Sequence, residues 1–414
     1  MSTREDALQI IDEAIKAVCP ENAVKKALEN FEGDGGIKVV AIGKAAWRMA
    51  KAARESLKDR ISEGIVITKY RHSMGDIEGF EILESGHPIP DKNTIKATRR
   101  ALDIVEDLRE KDLLLFLVSG GGSSLFELPA ENVELKDLIN ITDQLLKSGA
   151  TILEINAVRK HLSRVKGGRF AEIVKPTKIF SLVLSDVLSN RLDTIASGPA
   201  YPDSTTSQDA LRIIQKYDIK LPPRVLNTLK KETPKSLENV ETRTIGSILI
   251  ACEAAMKAAE KLGYSSMILT TTLDCEAREA GAFLSAIGRE IVSRDRPVKR
   301  PCTVILGGET VVQVKGKGLG GRNQELALSA ARGIEGLDNV VIASAATDGT
   351  DGPTDAAGGI VDGETMVRLR EKGINVEEML SSNDSYHALE SAGDLLNTGP
   401  TGTNVNDLII LLCK

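Results

Sequence analysis

Two glycine-rich stretches in the last third of the chain combine residue types that bind anions. One places Gly307 and Glu309 after an apolar run, and the other, residues 316–323, ends in Arg322 and Asn323 just before a helical pattern begins. Glycine lets the backbone approach a ligand, the first turn of a helix has unpaired N–H groups, and arginine adds a permanent positive charge. The pattern predicts an anion site whose natural occupant is a phosphorylated ligand. Taken alone, such a stretch is more often a glycine-rich hairpin with a solvated arginine, but the chain has several loops of the same kind.

A lysine in the first half stands where a bound anion would explain it. Gly43 and Lys44 follow the apolar run 37–42 and open a helical pattern. A lysine at a helix N-terminus opposes the helix dipole, so its position favours an anion between the two. The loop is not a P-loop, because that spacing needs glycine in place of Lys38 and a hydroxyl residue in place of Ala45. A surface lysine without a ligand is the alternative.

A loop of glycines and serines follows the apolar run 113–118. It consists of Ser119, Gly120, Gly121, Gly122, Ser123 and Ser124. Successive N–H groups in such a loop can form an anion-binding nest, and a serine at its end can cap the next segment. A nucleophilic serine is disfavoured, because Leu125 breaks the G-x-S-x-G pattern and no histidine is obviously placed to act as a base. The loop therefore favours anion binding over acyl transfer.

Two more candidate groups follow in the first half. Lys166 stands beside two glycines at the end of a basic helical run and could reach a ligand, although such a run is usually one solvated face. Asp186 follows the apolar run 179–184 and could hold a Mg²⁺ ion that bridges phosphates, with Asp193 downstream. A helix cap explains the aspartate at the strand end equally well.

A second pair of aspartates, Asp348 and Asp351, follows the apolar run 340–346 in a loop with several glycines. Either carboxylate could accept a proton from a substrate hydroxyl or hold a metal ion. Their spacing does not match the alternate ligand positions of an EF-hand loop. A rigid turn whose aspartates cap their own backbone is the alternative.

These loops must be positioned by strands, and the chain alternates apolar runs with amphipathic helical patterns. Continuous Val/Ile/Leu runs of this kind predict a mostly parallel sheet covered on both faces. The periodicity fails over 230–242, which predicts a linker, and then restarts with a strand at 245–251. A chain of 414 residues is long for one core. Two α/β domains with a cleft between them are therefore predicted, over residues 1–235 and 243–414.

Composition and charge exclude several classes of protein. A net charge of −6, a pI near 5.6 and the lack of a basic run interleaved with aromatics argue against a general nucleic-acid binder. No apolar stretch is long enough to span a membrane, and residues 1–20 predict an amphipathic helix rather than a signal peptide. The five cysteines form no CxxC pair and no metal spacing, so reduced thiols in the cytoplasm are expected.

In their residue types and order, these loops resemble those of the MOFRL-type glycerate 2-kinases, a family once confused with hydroxypyruvate reductases. The segments that carry the resemblance are 41–46, 119–124, 159–168, 184–187, 196–199, 307–310, 320–325, 347–353 and 401–407. Together they extend over nearly the whole chain. The resemblance implies an N-terminal Rossmann-like domain with a parallel sheet, a C-terminal MOFRL-type α/β domain, and an active site in the cleft between them.

The resemblance also implies an activity, namely ATP- and Mg²⁺-dependent transfer of the γ-phosphoryl group to the 2-hydroxyl of D-glycerate, giving 2-phosphoglycerate. It assigns the cationic catalytic positions to Lys44 and Arg322. Asp186 is then the expected magnesium ligand, Asp348 or Asp351 the expected contact to the attacking hydroxyl, and the serine–glycine loop the site for the glycerate carboxylate or the phosphates. Further binding positions are expected at Gly43, Lys166, Asp193, Gly307, Glu309 and Asn323. The expected partners are these small molecules and, in a homodimer, a second copy of the chain.

Three alternatives stay open at this stage. An NAD(P)H-dependent hydroxypyruvate reductase is the rival reaction, although no G-x-G-x-x-G follows the first strand. A kinase that phosphorylates the 3-hydroxyl instead would need no visible change in the sequence. A non-catalytic sensor would bind nucleotide or glycerate without turnover. Whichever holds, Arg191 could add a further positive charge close to Asp193.

Overall fold

The computed structural model describes residues 2–29, 31, 35–187 and 192–414, which form two compact units. The first unit is Pro20–Ile245, and the second joins residues 2–19, which include helix α1 (Thr3–Val18), to Gly246–Lys414. Each unit has its own six-stranded sheet. None of the described helices has the length and apolar character needed to cross a membrane.

The first unit is built on a parallel sheet. Its strands are β1 (Ile37–Ile42), β2 (Ile61–Lys69), β3 (Phe80–Ser85), β4 (Leu113–Val118), β5 (Lys178–Leu184) and β6 (Val240–Gly246). They lie in the order β3-β2-β1-β4-β5-β6, and β1 to β5 run parallel. The order reverses between β1 and β4, as in a Rossmann-type sheet, where ligands bind beyond the carboxyl ends of the strands near the reversal. The predicted Rossmann-like parallel sheet is confirmed.

Helices and a compact aromatic cluster hold the loops of this sheet. The helices are α2 (Pro20–Leu28), α3 (Ala46–Leu57), α4 (Lys92–Val105), α5 (Gly122–Leu125), α6 (Leu135–Lys147), α7 (Ile152–His161), α8 (Arg169–Val174), α9 (Ser207–Lys216) and α10 (Pro223–Leu229). Helix α7 begins at a capping box, because Thr151 Oγ1 accepts a hydrogen bond from Glu154 N–H (3.3 Å). The ring of Phe170 lies 5.0 Å from that of Phe116 on β4 and 5.2 Å from that of Phe126 after α5. This buried cluster anchors both ends of the serine–glycine loop.

The second unit has a mixed sheet. Its strands are β7 (Ser265–Leu273), β8 (Cys302–Gly308), β9 (Val340–Ala346), β10 (Gly358–Asp362), β11 (Leu395–Leu396) and β12 (Asp407–Cys413). They lie in the order β11-β10-β9-β12-β8-β7, and only the β7–β8 pair among them is parallel. The expectation of a mostly parallel sheet therefore fails here. Strands β8, β9 and β12 are fully buried, so they have the same continuous apolar sequences as parallel strands.

Seven helices are described in the second unit. With α1 they are α11 (Ile248–Lys261), α12 (Ala277–Arg294), α13 (Arg322–Ile334), α14 (Thr365–Glu371), α15 (Val376–Ser381) and α16 (Ser385–Ala392). The predicted strand at 245–251 is wrong. Ser247 Oγ accepts a hydrogen bond from Ile250 N–H (3.3 Å), so this serine caps α11 and the apolar residues after it form helix.

The two units divide the chain differently from the predicted domains, because α1 belongs to the second unit. Its buried Asp6 accepts a hydrogen bond from Tyr264 Oη (2.6 Å), and Val18 O accepts one from Thr403 Oγ1 (2.7 Å). The predicted amphipathic helix is present, with Ile10 buried on its apolar face. The sequence of an amphipathic helix shows that it has an apolar face, but not which distant segment covers that face.

Candidate active site

Some backbone N–H groups of the serine–glycine loop in the first unit have no acceptor among the described residues. Within the described part of the chain, the N–H groups of Gly120, Gly121 and Ser123 donate to no other residue. Gly121 adopts a left-handed conformation with φ 85°, which turns successive N–H groups toward a common side and favours a bound anion. Ser119 is used differently, since its buried Oγ donates to Ile42 O (3.2 Å) and accepts from Ala45 N–H (3.1 Å). Ser119 therefore ties two loops together and the later residues form the anion site.

Three predicted or newly recognised side chains surround this loop. A Cβ atom on Gly120 would overlap the Asp186 carboxylate, so this aspartate lies directly against the loop backbone. A Cβ on Gly121 would lie 3.0 Å from the His87 ring and 3.2 Å from Lys44 Cγ. Lys44 is exposed, and its ammonium group bonds to no described residue. The structure thus brings the predicted lysine, aspartate and glycines together at the carboxyl ends of β1, β4 and β5.

Gly43 is required for a steric reason rather than for direct binding. Its φ is 113°, and a Cβ there would overlap Ser119 Oγ and Ser119 O. Gly43 N–H donates to Ile67 O (3.1 Å), and Lys44 N–H donates to Gly120 O (2.9 Å). The glycine therefore lets the loop before α3 pack closely on the serine–glycine loop.

One half-buried and one buried cation lie beneath the serine–glycine loop. Ser123 O accepts hydrogen bonds from Arg159 Nη2 (2.9 Å) and Lys166 Nζ (2.7 Å). Lys166 is fully buried, also donates to Phe126 O (2.9 Å), and pairs with the buried Glu127 carboxylate (3.3 Å). Burial lowers the pKa of Lys166 to about 8, and the nearby carboxylate opposes this shift. Because two positive charges face one carboxylate, the loop above them lies in a positive potential that favours an anion.

The remaining predicted residues of this unit have structural partners. Ser123 Oγ lies 2.7 Å from Ser197 Oγ, in a segment where Ser197 has φ 60°, an uncommon conformation that recurs at functional sites. Asp193 lies in a buried polar cluster, 3.5 Å from Lys160 Nζ and 3.1 Å from Ser204 Oγ. Arg191 lies outside the described residues. The Asp193 carboxylate is therefore paired with Lys160 and hydrogen-bonded by Ser204 within the fold.

In the second unit, the N-terminus of α13 is occupied by an internal carboxylate. Asp351 Oδ2 accepts a hydrogen bond from Gln324 N–H (2.9 Å), and a Cβ on Gly321 would overlap this carboxylate. Asp351 is 2% exposed, and burial raises its pKa to about 6, against the lowering effect of the backbone hydrogen bonds from Gln324 and Asn323. The anion predicted at this helix end is therefore a side chain of the protein itself.

Arg322 is held by a second buried carboxylate. Its Nε and Nη2 donate to Asp407 Oδ2 (2.6 Å) and Oδ1 (3.1 Å), and its Nη1 donates to Glu309 Oε1 (2.9 Å). Asp407 also accepts a hydrogen bond from Asn323 Nδ2 (3.0 Å), which contacts Asp351 Oδ1 as well (3.3 Å). Burial disfavours charge on Arg322, but the bonds to Asp407 raise its pKa overall. A guanidinium has five N–H donors, so this fixed arginine keeps two for a ligand.

The glycines before Arg322 have a different role from the predicted one. Cβ atoms on Gly316, Gly318 and Gly320 would overlap the segment 382–385, and those on Gly307 would overlap Ile248. These glycines therefore allow close packing within the chain, whereas the sequence pattern suggested close approach to a ligand.

Asp348 remains accessible. Its carboxylate accepts a hydrogen bond from Thr350 N–H (3.0 Å), as in the self-capped turn that was the alternative to a catalytic aspartate, and the residue is partly exposed. Asp348 and the buried Asp351 thus differ in access, since only the first can meet a substrate without rearrangement.

Sequence reasoning did not select His87 or Asp407. His87 follows β3, an edge strand whose apolar residues are interrupted by Glu81 and Glu84, so the sequence has no continuous apolar run there to indicate a strand. Asp407 directly precedes the apolar run of β12, and a carboxylate at a strand terminus is the signal that could have pointed to it.

Known protein families match both parts of the chain. Residues 302–407 match the MOFRL family, and residues 6–230 match a domain of unknown function, DUF4147. The D-glycerate 2-kinase of Thermotoga maritima is 58% identical over 99% of this chain and 98% of its own. The chain belongs to the MOFRL-type glycerate 2-kinase family. The glycerate 2-kinase of Pyrococcus horikoshii is 47% identical over all of this chain and 98% of its own. A crystal structure of Thermotoga maritima glycerate kinase is similar at a TM-score of 0.96, with 57% identity and 99% of both chains covered.

Proposed function

We propose that this protein transfers the γ-phosphoryl group of ATP to the 2-hydroxyl of D-glycerate, giving 2-phosphoglycerate and ADP. The observation that carries the proposal is the loop at 120–123, whose N–H groups lie beside Lys44 and the Asp186 carboxylate. Among the described residues, the N–H groups of Gly120, Gly121 and Ser123 have no acceptor and the Lys44 ammonium has no partner. Two family relatives named as glycerate 2-kinases support the substrate and the position of attack.

The first unit supplies charge neutralisation. Phosphoryl transfer asks the protein mainly to align the reactants and to stabilise charge on the transferring group. The loop N–H groups are preorganised donors, and the exposed Lys44 adds a positive charge. These groups suit either the phosphates of ATP or the carboxylate of glycerate.

A magnesium ion fits this site through one carboxylate. No group of three His, Cys, Asp or Glu side chains placed to bind a metal occurs in the described part of the chain. Mg²⁺ usually keeps several waters and takes one or two carboxylates together with substrate phosphates. Asp186, held against Gly120, is the residue we assign to it, and Mg²⁺ would neutralise phosphate charge there.

The second unit supplies Arg322 and a carboxylate. Arg322 is oriented by Asp407 and Glu309 and can add a planar, fixed positive charge to the transferring phosphoryl group. For the contact to the attacking hydroxyl we choose Asp348 over Asp351, because the former is accessible and the latter caps α13.

Phosphorus NMR of a mixture of protein, ATP, Mg²⁺ and D-glycerate tests the reaction and its position of attack together. A 2-phosphoglycerate signal is expected. Formation of 3-phosphoglycerate would keep the enzyme class and overturn the regiochemistry. Absence of transfer by folded protein, with oxidation of NADH in the presence of hydroxypyruvate, would replace the kinase by the reductase.

Alanine variants test the assigned cations. Lys44→Ala and Arg322→Ala should each lower kcat by roughly a hundredfold or more, the effect of removing a preorganised donor to a transition-state charge. Lys26→Ala, an exposed lysine on α2, is the matched control and should keep wild-type rates. A wild-type rate in either folded variant would remove that residue from the proposed site. The expected cytoplasmic location and homodimer stay predictions.

A further inference from the structure

His87 is a half-buried histidine without a hydrogen-bonding partner among the described residues. Neither ring nitrogen bonds to any residue that the structure describes. Its ring packs on the serine–glycine loop, since Cδ2 and Nε2 would lie 3.0 and 3.1 Å from a Cβ on Gly121. The ring nitrogens of His87 are not fully buried, so water or a ligand can reach them. The ring is therefore placed for a ligand beside the free N–H groups of the loop.

Burial, together with nearby positive charges, keeps His87 neutral. Burial, and then the positive charges of Lys44, Lys69 and His72, lower the pKa of His87 to about 4. A neutral imidazole has one N–H donor and one acceptor nitrogen. The same positive surroundings that disfavour a charged imidazole favour an anion in front of it. The donor nitrogen therefore has an anion as its best partner.

We propose that His87 is a further ligand-binding residue, which donates a hydrogen bond to the oxyanion held by the loop at 120–123. The oxyanion is either a phosphate of the nucleotide or the carboxylate of the hydroxy acid, since both accept the same hydrogen bond. The contact with an oxyanion stands on its own, whereas the effect on turnover rests on the proposed kinase function.

NMR of the full chain labelled at histidine tests the contact directly. The chain has four histidines, so the spectrum is simple, and His87→Gln assigns the signal of interest. Inorganic phosphate, D-glycerate and ATP are added separately, and the exposed His387 on α16 serves as the internal reference. A saturable shift of the His87 signal with phosphate and ATP assigns it to the phosphates, and a shift with glycerate alone assigns it to the carboxylate. If calorimetry shows that these ligands bind and the His87 signal does not move, the proposal is refuted.

Steady-state kinetics provide a second readout. His87→Ala should raise KM for the assigned substrate by about tenfold, the loss of one charge-assisted hydrogen bond, with a smaller change in kcat. His87→Asn keeps a donor and should recover part of this loss, whereas His387→Ala should behave as wild type. Unchanged KM values for both substrates in a folded His87→Ala protein would overturn the proposal. A His87 signal that responds to phosphate in a protein without glycerate kinase activity would instead refute only the kinase function.

Discussion

Replacing Asp351 by asparagine should stabilise the second unit at neutral pH, although it removes a charge that accepts hydrogen bonds. Burial raises the pKa of this carboxyl from its ordinary 3.8 to about 6, so the folded state holds the proton more tightly than the unfolded state. The protonated Asp351 carboxyl therefore stabilises the folded state fully below about pH 4. This stabilisation is lost as the pH rises through 6. A difference of about two pH units corresponds to ~3 kcal/mol of cost for the ionised group at pH 7.5.

Asparagine approximates the protonated acid, because it keeps an oxygen that can accept the hydrogen bond from Gln324 N–H. Asp351→Asn should therefore raise the free energy of unfolding by about 1–3 kcal/mol at pH 7.5 and by roughly 1 kcal/mol or less at pH 4.5. Asp355→Asn, on the same loop but exposed, is the matched control and should leave the pH dependence unchanged.

The two units can be followed separately in urea. All five cysteines belong to the second unit, and Cys252, Cys302 and Cys413 are fully buried, so their reactivity reports its unfolding. The single tryptophan, Trp47, lies in the first unit and is nearly buried. Thiol labelling should show the stabilisation while tryptophan fluorescence does not. Destabilisation by more than about 1 kcal/mol at pH 7.5 would mean that the hydrogen bonds to the ionised carboxylate outweigh its desolvation, and the reasoning would be wrong.

Two further predictions concern the loop of the first unit. Lys166→Met should lower the free energy of unfolding by about 3 kcal/mol in urea, followed by tryptophan fluorescence, because it leaves the buried Glu127 carboxylate without its ion pair. Gly120→Ala should keep the fold and reduce kcat/KM by at least tenfold, because the added methyl group displaces the Asp186 carboxylate. Gly36→Ala, whose methyl group would meet only an ordinary contact at 3.5 Å, should keep full activity.

Several buried strands were predicted, whereas two strands interrupted by charged residues, β3 and β6, were not. The runs predicted at 37–42, 113–118 and 340–346 coincide with β1, β4 and β9, because every side of such a strand is covered. Strand β6 begins within the predicted linker at 230–242, since its exposed start carries charged residues. The direction of strands in the second sheet could not be predicted either, because burial and not direction makes a strand continuously apolar.

In the candidate site, too, the features set by neighbouring residues were predicted, and those set by distant residues were not. The loop after β4 was predicted as an anion site because its glycines, serines and preceding strand are adjacent in sequence. The loop before α13 was interpreted in the same way, but its glycines pack on residues 382–385 and its helix end binds Asp351. A glycine in a sequence indicates that another group comes close to the backbone, but it does not show which group this is. The partner was a distant segment of the same chain, which sequence spacing does not show.

The placement of α1 also affects the order in which this chain can fold during synthesis. The apolar face around Ile10 belongs with a unit whose remaining residues begin at Gly246. A ribosome adding about 5–20 residues per second needs roughly ten seconds or more to reach that point. During this time the whole first unit emerges and can fold, while the segments that cover the apolar face of α1 have not yet been synthesised. A nascent chain of this kind offers an early hydrophobic segment to chaperones before its own fold can cover it.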